Sequence, residues 1–161
     1  MRFDGITHYI KAAPRRLADA RELLQHPTYE KGARDAGHRH LRGAAYLAGY
    51  AVECALKAYI ISRIPGCQTF SQARERLPVD MSGARSHDFR LLAQATDLES
   101  DLLSRPELAG HWVWCRKWQP DLRYDGTHMT SKGDARRMVD AAEVIWRWVE
   151  ARRKTEPGRL T

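Results

Sequence analysis

The sequence has little of what marks several large protein classes. Only 3 of its 161 residues are cysteine, and no long uninterrupted apolar run occurs. The three cysteines, Cys54, Cys67 and Cys115, lack the spacing of a metal site, which predicts free thiols in a reducing compartment. Without an apolar stretch of about 18 residues we expect no membrane-spanning helix. The first residues also lack an apolar signal-peptide core, so we expect a cytoplasmic protein.

Strand-type alternation, internal repeats and low-complexity segments are also missing. Lysine and arginine number 27 against 20 acidic residues, which gives a net charge of +7. This excess favours an anionic partner such as RNA, a nucleotide or an acidic protein, and it does not select among them.

Helical periodicity is what the sequence does contain. Apolar residues recur at intervals of three and four over residues 6–25, from about residue 38 to 63, and over residues 131–153. Shorter helices are predicted from Phe89, capped by Ser86 or Asp88, and over residues 106–118, with loops at 65–86 and 119–130. The expected fold is all-α, a four- to five-helix antiparallel up-and-down bundle. It forms a single domain of residues 1–153, followed by a flexible basic tail of residues 154–161.

Residues 43–59 read as the central helix of this bundle, because small and apolar side chains occupy nearly all of its faces. Glu53 lies in the middle of this helix, and a buried charge is costly unless a partner compensates it. Lys57 follows at the favourable four-residue spacing. One interpretation is a simple neutralising ion pair, and the other is a polar pocket lined by Tyr46 or Tyr50 together with Glu53 and Lys57.

Arg123 and His128 form a second candidate site, just before the last helix. Arginine can hold a phosphate with two hydrogen bonds, and histidine can move protons near neutral pH. Such a pair suffices for metal-independent RNA cleavage, in which a ribose 2′-hydroxyl attacks the adjacent phosphate. In the alternative interpretation, Arg123 is the counter-ion of Glu53 and Tyr124 is a core aromatic residue.

The remaining histidines are weaker candidates. His87 either caps or packs at the start of the third helix, or it faces the same pocket as Glu53. His38 and His40 are alternate residues on a helix and point to different sides, so no metal site is predicted there. No cofactor is predicted.

Three segments together resemble the HEPN (higher eukaryotes and prokaryotes nucleotide-binding) domain family. Residues 46–58, YLAGYAVECALKA, resemble the alanine-rich second helix of that family. Residues 86–89, SHDF, followed by Leu92, resemble its H-D-L-x-x-L pattern at the third helix. Residues 118–124, WQPDLRY, resemble its W-x-x-x-x-R-Y pattern before the fourth helix. The matches come in the family's order and span roughly residues 10 to 150.

The resemblance implies a helical bundle that forms a homodimer in the cytoplasm of a prokaryote and is linked to nucleotides or RNA. Many members of the family are toxins or defence ribonucleases, often paired with a nucleotidyltransferase antitoxin. The ribonucleases use an Arg-x4-6-His motif, two copies of which meet across the dimer. Arg123 and His128 fit that spacing.

Three functional hypotheses therefore remain open. A module that binds nucleotide, RNA or a partner protein would place Glu53, Lys57, His87, Arg123 and Tyr124 around one pocket. A metal-independent endoribonuclease would place the second copy of its Arg-His pair across a twofold axis. A purely structural or regulatory dimer would have the arginine locked onto the buried glutamate, with no open cavity.

Overall fold

Seven α-helices and two short 3-10 turns make up the part of the chain that the structure describes. The computed structural model describes the backbone of residues 4–25, 34–123 and 131–156, and the side chains of all of these except residues 34–39 and 123. The helices are α1 Ile6–Gln25, α2 Arg34–Arg63, α3 Phe70–Arg74, α4 Phe89–Gln94, α5 Leu98–Ser104, α6 Pro106–Cys115 and α7 Lys132–Thr155. The 3-10 turns are Gly83–His87 and Pro120–Arg123. The described residues contain no strand, so the all-α prediction is confirmed.

The three long helices pack on one another, with α1 antiparallel to α2 and α7 parallel to α2. The Leu23 Cδ1 atom lies 3.2 Å from the position that a Cβ would take at Gly43, and Lys57 Nζ lies 5.9 Å from the ring centroid of Tyr9. The end of α1 therefore contacts the first half of α2, and the start of α1 contacts the second half of α2. The two helices are antiparallel. The C-terminal ends of α2 and α7 meet at Glu156, so these two packed helices share a direction. Helix α6 packs on α7.

Helix α2 is the centre of the fold, as the small-residue pattern predicts. Every residue from Ala51 to Ile61 is buried, and α2 contacts α1, α3, α4, α7 and the Pro120–Arg123 turn. Among the described residues one segment, His40–Arg63, is long and apolar enough to cross a membrane by length and hydropathy alone. Its apolar window is 83% buried inside the fold, as in the core helix of a globular protein.

The predicted short elements are present with shifted boundaries. Asp88 caps α4, since its Oδ1 accepts hydrogen bonds from the backbone amides of Arg90 and Leu91 at 2.8 and 3.2 Å. The segment of residues 65–86, predicted as a loop, contains helix α3 and most of the Gly83–His87 turn. Thr69 fixes the start of α3 through a capping box with Gln72. Helix α5 was not predicted, because its seven residues are too few to show a period.

Other boundaries move by a few residues. Helix α2 begins at residue 34 rather than about residue 38, and α6 ends at Cys115 rather than residue 118. Helix α7 ends at Thr155 rather than at about residue 153. The extension is held by Glu156, whose backbone and side chain accept hydrogen bonds from Arg63 and Tyr59 of α2. Residues 157–161 lie outside the described residues.

Candidate functional site

Glu53 contacts two basic side chains that come from different elements. Lys57 Nζ, one turn later in α2, donates a hydrogen bond of 2.6 Å to Glu53 Oε1. His87 Nδ1, at the end of a 3-10 turn, lies 2.9 Å from the same oxygen. The Glu53 side chain is 2% exposed and that of His87 is 40% exposed, so the pair connects the core to the surface. The expectation that a positive group compensates Glu53 is confirmed by Lys57.

The contact with Glu53 determines which ring nitrogen of His87 is available to a ligand. When Glu53 is ionised it only accepts hydrogen bonds, and the contact then requires a hydrogen on Nδ1 of His87. The other nitrogen, Nε2, is then the one that can bind a ligand. Glu53 Oε2 is buried and has no hydrogen-bond partner among the described residues, which leaves one acceptor of this cluster unused.

The ammonium group of Lys57 is enclosed by aromatic rings as well as by the carboxylate. Its Nζ atom lies 4.8 Å from the ring centroid of Phe70 and 5.9 Å from that of Tyr9. Both contacts are at cation–π distance. Burial, together with the nearby carboxylate of Asp4, raises the pKa of Tyr9, so the ring stays neutral beside the cation.

Tyr46 and Tyr50 lie one turn apart on the same face of α2, on the N-terminal side of Glu53. Their rings are stacked with centroids 6.3 Å apart and planes 5° apart. The Arg16 guanidinium of α1 lies 5.8 Å from the Tyr50 ring centroid. Burial raises the pKa of the Tyr50 hydroxyl. Burial also raises the pKa of the adjacent Cys54 thiol, to about 12. These groups are therefore neutral at physiological pH.

Trp118 packs the segment that follows α6 against α2. Its indole Nε1 donates a hydrogen bond of 3.1 Å to the backbone carbonyl of Tyr46, and its ring stacks on Phe89 with centroids 4.9 Å apart. The indole lies directly over Gly49, where an added Cβ would be 2.0 Å from Trp118 Cδ1. Only glycine at this position allows so close an approach. Trp118 thereby holds the Pro120–Arg123 turn against α2.

A cavity of about 630 Å³ opens between the start of α4 and the segment that follows α6. This is a size typical of small-molecule sites. Its lining includes three basic residues, two acidic residues and two aromatic residues, namely His87, Arg90, Arg116, Asp88, Asp121, Phe89 and Trp118. The half-exposed His87 is the link between this cavity and the buried Glu53.

The predicted site residues therefore fall into three sets. Glu53, Lys57 and His87 are in direct contact, and His87 lines the cavity. The two tyrosines, Tyr46 and Tyr50, stack on each other along the same face of α2. The predictions for the Arg123 side chain, Tyr124 and His128 lie outside the described residues.

Two basic residues of the cavity, Arg90 and Arg116, were not anticipated from the sequence. Arg90 comes two residues after the capping Asp88, and Arg116 immediately follows α6. In a chain with 27 basic residues, neither one stands out by spacing or by neighbours. Only the folding of α4 and α6 toward each other places them at one cavity.

Among the described side chains, no group of three or more histidine, cysteine, aspartate or glutamate residues is arranged to hold a metal ion. Comparison with known proteins found no match to this chain among family models, curated proteins or solved structures.

Proposed function

We propose that this chain is a HEPN-like protein that binds a nucleotide or RNA at the cavity edged by His87. The observation that carries the proposal is the 2.9 Å contact between His87 Nδ1 and the buried Glu53. A side chain that is held by a second group meets a ligand with little further loss of conformational freedom. Two arginines line the same cavity, and arginine is well suited to phosphate.

Two further features support an anionic ligand of this class. The net charge of +7 favours association with polyanions. The resemblance of residues 46–58 to the second HEPN helix points to nucleotides or RNA. In that family context the protein would act as a homodimer in a toxin-antitoxin or defence system, with a nucleotidyltransferase-type antitoxin as partner.

The test is the affinity of the protein for a labelled mixed-sequence RNA and for a labelled mononucleotide, measured by fluorescence anisotropy. The variant His87→Ala is compared with His111→Ala, because His111 lines a separate groove between α6 and α7. Loss of one hydrogen bond to a charged group costs about 1.5–3 kcal/mol, so His87→Ala should weaken binding about tenfold or more. Equal affinities for the two variants, or no binding by the wild type, would refute the proposal.

A metal-independent endoribonuclease that uses Arg123 and His128 across a homodimer is the second candidate. It is favoured by the position of the Pro120–Arg123 turn, because Pro120 and Asp121 line the cavity that His87 also lines. The test is cleavage of end-labelled RNA in the presence of EDTA. Cleavage by the wild type and not by His128→Ala supports this candidate, and the absence of cleavage by both rejects it.

A further inference from the structure

A second basic group at the cavity is also held by a buried carboxylate. Arg116 Nη1 lies 3.5 Å from Glu99 Oε1, and Glu99 is 8% exposed. The other oxygen, Glu99 Oε2, accepts a 2.7 Å hydrogen bond from Gln94 Nε2, which fixes the carboxylate in place. Glu99 Oε1 has no hydrogen-bond partner among the described residues, so Arg116 forms an ion pair that does not consume its N–H donors.

The Arg90 side chain differs from Arg116 in being exposed and adaptable. Its guanidinium forms no hydrogen bond or ion pair with any other residue that the structure describes, while its backbone amide is fixed by Asp88. Asp88 is therefore already engaged in capping α4. The cavity thus offers one arginine that is positioned and one that can move to meet a ligand.

The donors match a phosphate group better than another anion. A guanidinium presents paired N–H groups whose geometry fits phosphate oxygens. A terminal phosphate carries about 1.5 to 2 negative charges at neutral pH, whereas a phosphodiester inside RNA carries only one. Two arginines can together serve the dianion, and Nε2 of His87 can donate to it when both ring nitrogens carry hydrogens. Asp121 is the one lining carboxylate without a described partner, and it opposes any anion.

We propose that the cavity is a subsite for the terminal phosphate of one nucleotide, contacted by Arg116 and Arg90, with Glu99 as the positioning residue for Arg116. The inference rests on the proposed function and narrows it to phosphomonoesters. The cavity volume of about 630 Å³ is large enough for a single nucleotide. The phosphate could belong to a free nucleotide or to the 5′ end of an RNA.

The first experiment compares AMP with adenosine by isothermal titration calorimetry. The wild type should prefer AMP about 10- to 100-fold, the effect of one or two charge-assisted hydrogen bonds. Arg116→Gln and Arg90→Gln should each reduce this preference about tenfold or more. Arg137→Gln is the matched control, because Arg137 is exposed on α7 and lines the other groove. A preference that is absent, or that both cavity variants leave unchanged, overturns the inference.

Two further variants test the charges rather than the fold. Asp121→Asn should raise the ratio of AMP to adenosine affinity severalfold, because it removes a carboxylate that opposes an anion. Glu99→Gln keeps an acceptor for Gln94 but loses the ion pair with Arg116. It should lower the ratio of AMP to adenosine affinity while the protein melts normally. A lower affinity of Asp121→Asn for AMP would overturn the inference.

The last experiment separates the source of the phosphate from the proposed function itself. RNA with a 5′-phosphate is compared with the same RNA carrying a 5′-hydroxyl. Tighter binding of the 5′-phosphate RNA that depends on Arg116 identifies an RNA end as the ligand. A preference for AMP over adenosine, with equal binding of the two RNAs, identifies a free nucleotide. Binding of RNA that requires His87 and ignores the end phosphate, with no preference for AMP, overturns this inference and leaves the proposed function standing. No binding of RNA or AMP overturns both.

Discussion

Replacement of Lys57 by methionine tests whether the Glu53 cluster is truly part of the core. Methionine keeps most of the apolar stem and removes the charge, leaving Glu53 with His87 as its contact. The Glu53 and Lys57 side chains are 2% and 6% exposed, so the remaining carboxylate cannot recover solvation. Removal of one partner from a buried pair costs about 3–5 kcal/mol. That is a large part of the total of about 5–15 kcal/mol that stabilises a typical domain.

The chain offers an exposed ion pair as the matched control. Arg147 and Glu143 have the same four-residue spacing and the same order in α7, but the arginine is 70% exposed. Glu143 also keeps a second partner, Arg21 of α1, as Glu53 keeps His87. The substitution Arg147→Met should therefore cost only about 0–1 kcal/mol.

Urea denaturation followed by circular dichroism measures both costs. At roughly 2–4 °C per kcal/mol for a domain of this size, Lys57→Met should also lower the melting temperature by about 6 to 20 °C. The double variant Glu53→Gln with Lys57→Met should recover much of the loss, because no uncompensated charge remains. If Lys57→Met costs no more than Arg147→Met, the description of Glu53 as a desolvated charge is wrong.

Further predictions concern the residues around this cluster. Gly49→Ala should destabilise the protein by about 1–3 kcal/mol in urea, because its Cβ would displace Trp118; a neutral effect would contradict the packing. Asp88→Ala should cost about 1 kcal/mol through loss of the α4 cap, and a cost near zero would argue against that cap. The Cys54 thiol should resist alkylation in the folded protein at neutral pH. Burial raises its pKa from 9.0 to about 12, so its contribution to stability is complete below pH 9 and is lost as the pH rises toward 12. Alkaline urea titrations of the wild type and Cys54→Ala should diverge in that range, and parallel curves would contradict the prediction.

The long helices and the burial of Glu53 could be predicted because both follow from local patterns. Twenty residues of α1 and thirty of α2 give many helical periods, so their period is unmistakable. A carboxylate among small and apolar neighbours requires a positively charged or hydrogen-bonding partner wherever the helix is packed. Helix α5 could not be found in this way, since seven residues span fewer than two turns.

The cavity could not be predicted, because its residues are distant in sequence. Arg116 lies 26 residues after Arg90, and each looks like an ordinary surface residue of a basic chain. The partnership of Glu53 with His87 spans 34 residues and depends on how the 3-10 turn meets α2. The requirement for glycine at position 49 is similar, because it comes from the indole of Trp118, which lies 69 residues further along the chain. Such contacts are set by tertiary packing, which the spacing of apolar residues along one helix does not encode.

The most direct test of ligand binding at this cavity is an NMR titration of the histidine side chains with AMP. Long-range ¹H–¹⁵N spectra of ¹⁵N-labelled protein report each ring nitrogen separately, and His87→Ala and His111→Ala assign the two signals. Binding at the cavity predicts a saturable shift of the His87 Nε2 signal, with the His111 signals unchanged and the effect lost in Arg116→Gln. A His87 ring that does not respond to AMP, or a response confined to His111, would contradict the proposed site.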